Sequence, residues 1–183
     1  MKDAFCSFCG HSFGEARYPK VCVSCGKWTH KQPRPVAVVL VPVRDSLLVV
    51  RRAFEPQAGL LNLPGGHIEH EENWDAAAAR ELGEETGLVV EPSELQLYDV
   101  KSTSTGYLVF FSLAPLRFDD LDVTTLKSDV EVTEITLIKS IDETSQLAFD
   151  THNEVARTYF SARFAPFSPI FSRHRLIRSF LGL

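Results

Sequence analysis

Four charged residues stand close together near the middle of the chain: Arg80, Glu81, Glu84 and Glu85. The segment around them is typical of a helix, because it contains a run of alanines, Asn73 suits an N-cap and Gly87 suits the left-handed position that ends a helix. On such a helix Glu81 and Glu85 are four residues apart and point the same way. Carboxylates on one face repel each other unless a cation lies among them, and Mg²⁺ and Mn²⁺ prefer oxygen ligands of this kind. The spacing therefore predicts a site for a divalent metal.

The residues just before the helix are expected to complete this site. Arg80 falls on a different part of the helix from Glu81 and can reach back to Glu72, so this pair would fix the preceding loop to the helix. The loop itself contains Gly65 and Gly66, whose small size would let a backbone carbonyl face the metal. We therefore count Gly66, through its carbonyl, among the expected metal ligands with Glu81, Glu84 and Glu85.

Nine residues at fixed spacing make this segment similar to a known motif: Gly66, Glu72, Arg80, Glu81, Leu82, Glu84, Glu85, Gly87 and Leu88. They occupy every fixed position of the Nudix box, G-x5-E-x7-R-E-U-x-E-E-x-G-U, in which U is a bulky aliphatic residue. The chain thus resembles the Nudix hydrolases. One departure, Glu71 where many members carry glycine, lies outside the fixed pattern.

The resemblance implies a fold, a reaction and further site residues. The fold would be the Nudix α/β/α sandwich with a mixed sheet, and the reaction would be metal-dependent hydrolysis of a pyrophosphate bond. Arg51, Arg52, Phe54 and Gly65 would lie near the bound nucleotide. A general base is expected on the segment before the last strand, where Glu131 aligns best and Glu134 is the next candidate; a glutamate of the helix is a further alternative.

All four cysteines lie in the first 33 residues, as the pairs Cys6-x2-Cys9 and Cys22-x2-Cys25. Each pair is followed by glycine, which suits a knuckle whose amides face the thiolate sulfurs. Four thiolates satisfy a structural Zn²⁺ ion, and metal binding would stabilise a segment too short to fold alone. Disulfides or a redox pair are the alternatives. The segment resembles a zinc ribbon, and its lysines and Trp28 favour a docking surface over a nucleic-acid site.

Strand and helix patterns follow the cysteine segment. The stiff linker 31–35 leads into strands expected at 36–43, 46–51, 88–90, 95–101, 107–113 and 132–138. The segment 144–149 reads as irregular, and a helix is expected at 152–163, with His152 on its surface or at its start. His67 and His70 are expected to be exposed loop residues.

The chain ends in a segment of different composition. From Val155 to Leu183 it carries five arginines and no acidic residue, with six Phe or Tyr interleaved. We interpret this as a C-terminal extension that packs on the acidic body or across a homodimer interface, rather than a nucleic-acid or membrane contact. The domain organisation is thus a zinc ribbon (1–33), a Nudix domain (34–165) and a basic, aromatic extension (166–183).

Charge and apolar content limit the partners. A net charge of −5 argues against a dedicated nucleic-acid binder. The longest apolar run is too short for a membrane span, and the N-terminus does not read as a signal segment, so a cytoplasmic location is expected.

The substrate class comes from the resemblance. A zinc ribbon ahead of a Nudix domain resembles the NADH pyrophosphatase branch, although its Ser-Gln-Pro-Trp array is absent and 89–93 reads Val-Val-Glu-Pro-Ser. The proline typical of ADP-ribose pyrophosphatases is also absent; Thr103 and Ser104 stand there. The expected substrate is a nucleoside diphosphate linked to another group, such as FAD, NADH or an ADP-sugar. The alternatives are an RNA 5′-end processing enzyme and a nucleotide-sensing regulator whose ribbon binds nucleic acid.

Overall fold

The computed structural model describes residues 4–14, 17–115, 118, 120–127 and 130–163. The chain divides into two compact units, Met1–Arg34 and Pro35–Leu183. The C-terminal extension predicted at 166–183 lies outside the described residues, and the three-part domain organisation stays a prediction. Among the described helices, none combines the length and the apolar character that crossing a membrane requires.

The first unit contains a small antiparallel sheet of strands β1 (Lys20–Val21) and β2 (Trp28–Thr29). The elements that follow are β3 (Arg34–Leu40), β4 (Pro42–Val43), β5 (Ser46–Arg52), β6 (Leu61–Asn62), β7 (Gly65–His67), α1 (Trp74–Thr86), β8 (Gln96–Ser102), β9 (Tyr107–Leu113), β10 (Val132–Ile138) and α2 (Asp150–Arg163). Short 3₁₀ helices lie at Pro92–Glu94, Val123–Thr125 and Asp142–Gln146.

Two strands in the middle of the second unit divide their side chains between the two helices. Along β3 and β5, side chains point alternately to opposite faces, as extended backbone requires. One face packs in a core that includes Ala77, Ala78 and Leu82 of α1. The other packs in a second core with residues of α2 such as Val155 and Phe160. This layering confirms the predicted α/β/α sandwich.

The strands of this unit form two four-stranded sheets. One has the order β7-β3-β9-β8, and the other the order β10-β5-β4 with β6 also paired to β5. The single strand predicted at 36–43 is therefore wrong, because the chain leaves the first sheet after Leu40 and enters the second at Pro42. The strands predicted at 107–113 and 132–138 have the observed bounds.

The strand predicted at 88–90 is wrong as well, because these residues follow α1 without joining a sheet. Leu88 and Val90 are buried in the α1 core while Val89 between them is exposed. Apolar residues with this alternation resemble a strand in sequence, although here they only close the end of the helix layer. Gly87, at φ 74°, ends α1 in the left-handed conformation as predicted.

Leu82 holds α1 against the sheet, because its side chain is fully buried in the core on that side. We expect Leu82→Ala to lower the free energy of unfolding by about 2–5 kcal/mol, since it removes buried methyl groups and leaves a cavity. Chemical denaturation measures this change. The control, Val89→Ala, alters an exposed side chain and should stay within about 0.5 kcal/mol of wild type. Equal effects of the two substitutions would contradict the packing described here.

Candidate active site and cysteine cluster

The two glycines before α1, in the segment that includes the short strand β7, lie where a side chain would meet close neighbours. Gly65, at φ 147°, would bring a Cβ to 2.6 Å from the Cα of Val38 on β3. A Cβ on Gly66 would collide with the carboxylate of Glu81. The backbone of this loop therefore packs directly between β3 and the acidic face of α1.

Glu85 is held against the same loop. Its Oε2 accepts a hydrogen bond of 2.9 Å from the backbone N–H of Gly65. Burial raises the pKa of Glu85 to about 8, even though this hydrogen bond and the charge of Arg52 act in the opposite direction. The carboxylates of Glu81 and Glu131 add to the increase. Negative charge at this position is thus poorly compensated by the protein itself.

Glu81 shows the same effect. Burial raises its pKa, Arg80 opposes the increase, and the carboxylates of Glu84 and Glu131 add to it. Because Glu131 raises the pKa of both Glu81 and Glu85, the three carboxylates share one electrostatic environment. The charge of a residue from the segment before β10 thus acts on two residues of α1. We call Glu81, Glu84, Glu85 and Glu131 the carboxylate cluster.

Arg80 connects the loop to the helix, as the sequence indicates. Its Nε and Nη2 donate to the two carboxylate oxygens of Glu72, each at 3.0 Å, and Nη2 also donates to the carbonyl of His67 at 3.0 Å. This hydrogen bonding lowers the pKa of Glu72 and raises that of Arg80. Arg80 also makes two hydrogen bonds beyond the predicted pair with Glu72, because its Nη1 donates to Glu81 at 2.9 Å and to Glu84 at 3.1 Å.

The carboxylate cluster offers only oxygen donors, the type that Mg²⁺ and Mn²⁺ prefer. Among the described residues, however, the group that converges as a metal site is the four cysteines and not the glutamates. Glu81 and Glu84 are turned toward Arg80 and Glu85 toward Gly65. A cation at the cluster would therefore compete with Arg80 for two of these carboxylates. The raised pKa values of Glu81 and Glu85 show that a positive charge there would be stabilised.

The two arginines at the end of β5 hold the loop that follows it. Arg51 donates to Glu134 at 2.6 Å and to the carbonyl of Gly59 at 2.8 Å. Arg52 donates to the carbonyl of Pro56 at 2.9 Å, and its charge lowers the pKa of Glu85. The charge of Arg52 thus acts on the carboxylate cluster, whereas Arg51 forms an ion pair with Glu134.

Phe54 lies on the loop that these arginines hold, and 57% of its surface is exposed. The exposed ring is free of the two hydrophobic cores described above. It is therefore available to a ligand at this end of β5.

The two sequence candidates for a general base differ in their surroundings. Glu134 lies opposite Arg51 in the β10–β5 register and forms the ion pair described above. Glu131 is fixed through its backbone, whose carbonyl accepts from the N–H of Ala53 at 2.9 Å, while its side chain is exposed. Its carboxylate acts on Glu81 and Glu85. The ion pair of Glu134 with Arg51 and the action of the Glu131 charge on Glu81 and Glu85 favour Glu131 over Glu134.

His152 lies in the first turn of α2, one of the two predicted positions, but the alternative prediction of a helix-surface residue is wrong. Only 5% of it is exposed, and its ring lies edge-on to Phe111 at 5.3 Å and beside Phe149 at 5.4 Å. Burial, with a smaller contribution from Arg52, lowers its pKa to about 3, so the imidazole is neutral at physiological pH. The guanidinium of Arg52 also stacks on Phe149, 5.2 Å from the ring centroid.

Helix periodicity contains the signal for this burial. The buried residues of α2 are His152, Val155, Ala156, Tyr159 and Phe160. This i, i+3, i+4, i+7, i+8 pattern is typical of a helix face that packs on a core. His67 and His70, in contrast, are exposed as expected.

The four cysteines form a second site, in the first unit. Their ligand atoms all lie within 4.8 Å of one another, with Cys6 Sγ at 3.7 Å from Cys25 Sγ and Cys9 Sγ at 3.6 Å from Cys22 Sγ. All four are free thiols, so these pairs are not disulfides. A tetrahedral ion with bonds of about 2.3 Å to sulfur separates its ligands by similar distances. The cluster is thus able to bind zinc.

The two cysteine pairs form backbone turns of the same kind. Gly10 N–H donates to the carbonyl of Cys6 at 2.9 Å, and Gly26 N–H donates to that of Cys22 at 2.8 Å. At Cys22, burial raises the thiol pKa, but the nearby backbone N–H groups outweigh this and lower the pKa to about 6. The two predicted knuckle turns are therefore present, and at Cys22 the backbone amides favour the thiolate.

The α/β/α sandwich, with a glycine segment that leads into a helix carrying several glutamates, defines a class of protein. The NUDIX domain profile matches residues 31–169, and the chain belongs to the NUDIX family. Enzymes of this family use divalent metals. Curated relatives include the NAD-capped RNA hydrolase NudC of Haemophilus influenzae (strain PittEE), 27% identical over 140 residues. That match covers 74% of this chain and 47% of the relative, so the chain spans about half the length of the relatives it matches.

Solved structures support the fold. A NUDIX hydrolase from Nitrosomonas europaea is similar with a TM-score of 0.67 and 24% identity, over 88% of this chain and 93% of that one. A bifunctional NMN adenylyltransferase/ADP ribose pyrophosphatase from Francisella tularensis, complexed with AMP and a manganese ion, has a TM-score of 0.60 and 22% identity. That match covers 72% of this chain and 42% of that one.

The raised pKa of Glu85 makes stability depend on pH when no magnesium or manganese is added. Folded Glu85, with a pKa of about 8, keeps a proton that the unfolded chain releases near its ordinary value of 4.5. This contribution to stability is therefore full below pH 4.5 and is lost as the pH rises toward 8. We expect Glu85→Gln, which cannot ionise, to exceed wild type in free energy of unfolding by about 1–3 kcal/mol above pH 8.

Urea denaturation at several pH values measures this difference, with Glu154→Gln on α2 as the control that keeps the wild-type pH profile. Added Mg²⁺ should raise the Tm of wild type and leave that of Glu85→Gln unchanged. Parallel pH profiles for wild type and Glu85→Gln would contradict the burial of an uncompensated carboxyl group.

Proposed function

We propose that this protein hydrolyses the pyrophosphate bond of a nucleoside diphosphate linked to another group, with Mg²⁺ or Mn²⁺ as catalytic cofactor. The observation that carries the proposal is the shared environment of Glu81, Glu85 and Glu131 over the Gly65–Gly66 backbone. Glu81 and Glu85, whose pKa values are raised by burial and by neighbouring carboxylates that include Glu131, suit a cationic cofactor and an anionic substrate better than they suit a structural role.

Glu81, Glu84 and Glu85, with the carbonyl of Gly66, would hold the ions. Bound there, the ions would neutralise the diphosphate and activate a water for attack. Arg80 and Glu72 act as positioning residues, because their paired hydrogen bonds fix the loop that carries Gly66 relative to the helix. When the ions bind, Arg80 would release Glu81 and Glu84 and keep Glu72.

Glu131 would accept the proton of the attacking water. The water oxygen forms a bond to one phosphorus in line with the bridging oxygen, and the bond between that phosphorus and the bridging oxygen breaks. The products are two phosphate monoesters. Arg52 would bind a phosphate at the mouth of the site, since its charge already acts on Glu85. Phe54, exposed on the neighbouring loop, would stack on the base.

Two substrate types agree with this chemistry. Free dinucleotides or ADP-sugars fit the proposal directly. The second candidate is an RNA carrying a dinucleotide at its 5′ end, and the observation that favours it is the name of the curated relatives, NAD-capped RNA hydrolase. Both contain a pyrophosphate between two nucleosides or sugars, so the carboxylate cluster would act on either. Hydrolysis rates for NAD-capped RNA and for free NADH, compared at equal concentration, separate them.

We also propose that the cysteine cluster binds one structural Zn²⁺ ion and that the protein works in the cytoplasm. The support for zinc is the spacing of the four thiols. Free thiols so close together are typical of a reducing compartment.

Glu131→Gln tests the proposed base. The amide cannot accept a proton, so we expect kcat for NADH, FAD or ADP-ribose hydrolysis in Mg²⁺ to fall by about 10²–10⁴-fold, with KM changed little. Glu134→Gln is the matched control on the same segment; it removes only an exposed ion pair and should keep kcat within about threefold. If the two variants behave alike, the assignment of Glu131 fails. If wild type hydrolyses no nucleoside diphosphate derivative, the proposed reaction itself fails.

Elemental analysis tests the zinc site. We expect about one zinc per chain, and a chelator should loosen residues 4–34 while the Nudix domain stays folded, because metal binding supplies the folding free energy of the small unit. Hydrogen exchange followed by mass spectrometry locates the loosened segment. A metal-free protein with a protected cysteine segment would contradict this site.

A further inference from the structure

The first unit carries positive charge while the rest of the chain is acidic. Residues 1–34 contain six Lys or Arg and two Asp or Glu, whereas residues 35–183 contain 13 and 22. A polyanion would therefore be attracted to the small unit and repelled by most of the large one. The overall charge of −5, which argues against nucleic acid for the chain as a whole, hides this separation.

One face of the small sheet exposes aromatic and apolar side chains. Val21 and Trp28 are direct partners across β1 and β2, so their side chains lie on the same face. Trp28 has 57% of its surface exposed, and its ring is nearly parallel to that of His30, with an interplanar angle of 18° and centroids 6.3 Å apart. The two rings are thus nearly parallel, and both residues are exposed.

An exposed ring on the first knuckle is paired with a cation. Phe8 is 58% exposed, and the Nζ of Lys27 lies 4.8 Å from the centroid of its ring. Lys27 directly precedes Trp28 at the start of β2. Cross-strand pairing and the ring contact place Val21, Trp28 and His30 together, and Phe8 and Lys27 are exposed beside the start of β2. We use the name Trp28 face for these five exposed residues.

The small unit does not need this face for its own packing. On the strand position next to Val21, Lys20 is buried, and its Nζ lies 5.1 Å from the ring of Phe13 and 4.6 Å from that of Tyr18. These residues, together with the cysteine cluster, order the interior of the unit. Trp28, Phe8 and Val21 are left exposed, and exposed apolar residues that lie together, unlike single ones, mark interaction surfaces.

We propose that the Trp28 face binds single-stranded nucleic acid, with unpaired bases stacked on Trp28 and Phe8 and with Lys27 at the phosphates. Flat rings interleaved with cations are the arrangement by which proteins bind single strands without reading their sequence. Charge decides against a second copy's small unit as the occupant, because two such faces carry the same sign. Composition alone favours a docking surface over a nucleic-acid site. The exposure of Trp28 and its nearly parallel arrangement with the His30 ring favour nucleic acid instead.

This inference goes beyond the proposed hydrolysis and does not depend on it. The ligand is a phosphodiester chain that needs no pyrophosphate. If the protein is a decapping enzyme, the face would hold the RNA body. If it acts on free dinucleotides, the binding would serve another purpose.

Fluorescence anisotropy of the full-length, zinc-loaded protein tests the proposal. The probes are labelled RNA and DNA strands of 12 nucleotides and duplexes of the same sequences. All carry 5′-hydroxyl ends, so they contain no pyrophosphate for the enzyme to hydrolyse. We expect the single strands to bind more tightly than the duplexes, with a Kd that rises steeply with salt. Trp28→Ala and Phe8→Ala should each weaken binding of the single strands about tenfold, and Lys27→Gln should reduce the salt dependence.

Two controls carry substitutions outside the Trp28 face. Val23→Ala removes an exposed aliphatic group from the second knuckle, and Lys139→Ala removes an exposed lysine from the large unit. Both should bind as wild type does. All variants must retain about one zinc per chain and wild-type hydrolysis of free NADH, so that loss of binding is not loss of folding or of the active site.

Three outcomes would overturn the proposal. The first is no salt-dependent binding of any strand, and the second is equal weakening by Trp28→Ala and Val23→Ala. The third is concentration-dependent dimerisation in analytical ultracentrifugation that Trp28→Ala abolishes while nucleic acid does not bind, which would assign the face to a protein contact. Failure of wild type to hydrolyse any nucleoside diphosphate derivative would refute the proposed function and leave this result unaffected.

Discussion

The structure places carboxyl groups where their negative charge is poorly compensated. Glu81 and Glu85 are partly buried beside the glycine loop, and the pKa of each is raised because burial and neighbouring acidic groups oppose ionisation. A helix that carries such side chains needs stabilising contacts elsewhere. Adjacent positions of α1 supply them, through Ala77, Ala78 and Leu82 in the core. The apolar packing of the helix therefore offsets the electrostatic cost of its acidic face.

Arg80 is the second element on which this arrangement depends. Its guanidinium makes two hydrogen bonds to Glu72 and one each to Glu81, Glu84 and the backbone of His67. It thus compensates part of the acidic charge and fixes the loop at the same time. A cation at the cluster would take over the first of these tasks, and the pair with Glu72 would remain to hold the loop in place. One residue can in this way serve the protein both with and without its metal.

Much of the site followed from sequence because it depends on short-range spacing. The positions of Glu81, Glu84 and Glu85 on one helix, the Arg80–Glu72 pair and the two cysteine knuckles are set by a few residues of local chain. Contacts between distant segments were harder to predict. That Glu131 and not Glu134 faces the cluster depends on the register of β10 against β5, with its irregularity between Val132 and Glu134. The break after Leu40 likewise depends on a change of sheet that an unbroken apolar run does not reveal.

The two parts of the chain are built on different physical principles. The sandwich is stabilised by two apolar cores, one for each helix. The small unit has few buried side chains and is ordered around four thiols, with Phe8 and Trp28 exposed on its surface. Its charge is opposite to that of the sandwich. A metal in each part would therefore have a different task, one in catalysis and one in folding.

A crystal structure of the protein with Mn²⁺, with anomalous diffraction measured at the manganese edge, tests the central claim most directly. The account predicts an anomalous peak within coordination distance of Glu81, Glu85 and the carbonyl of Gly66, with Arg80 still bonded to Glu72. Manganese bound elsewhere on a hydrolytically active protein, with Glu81 and Glu85 free of it, would contradict the account.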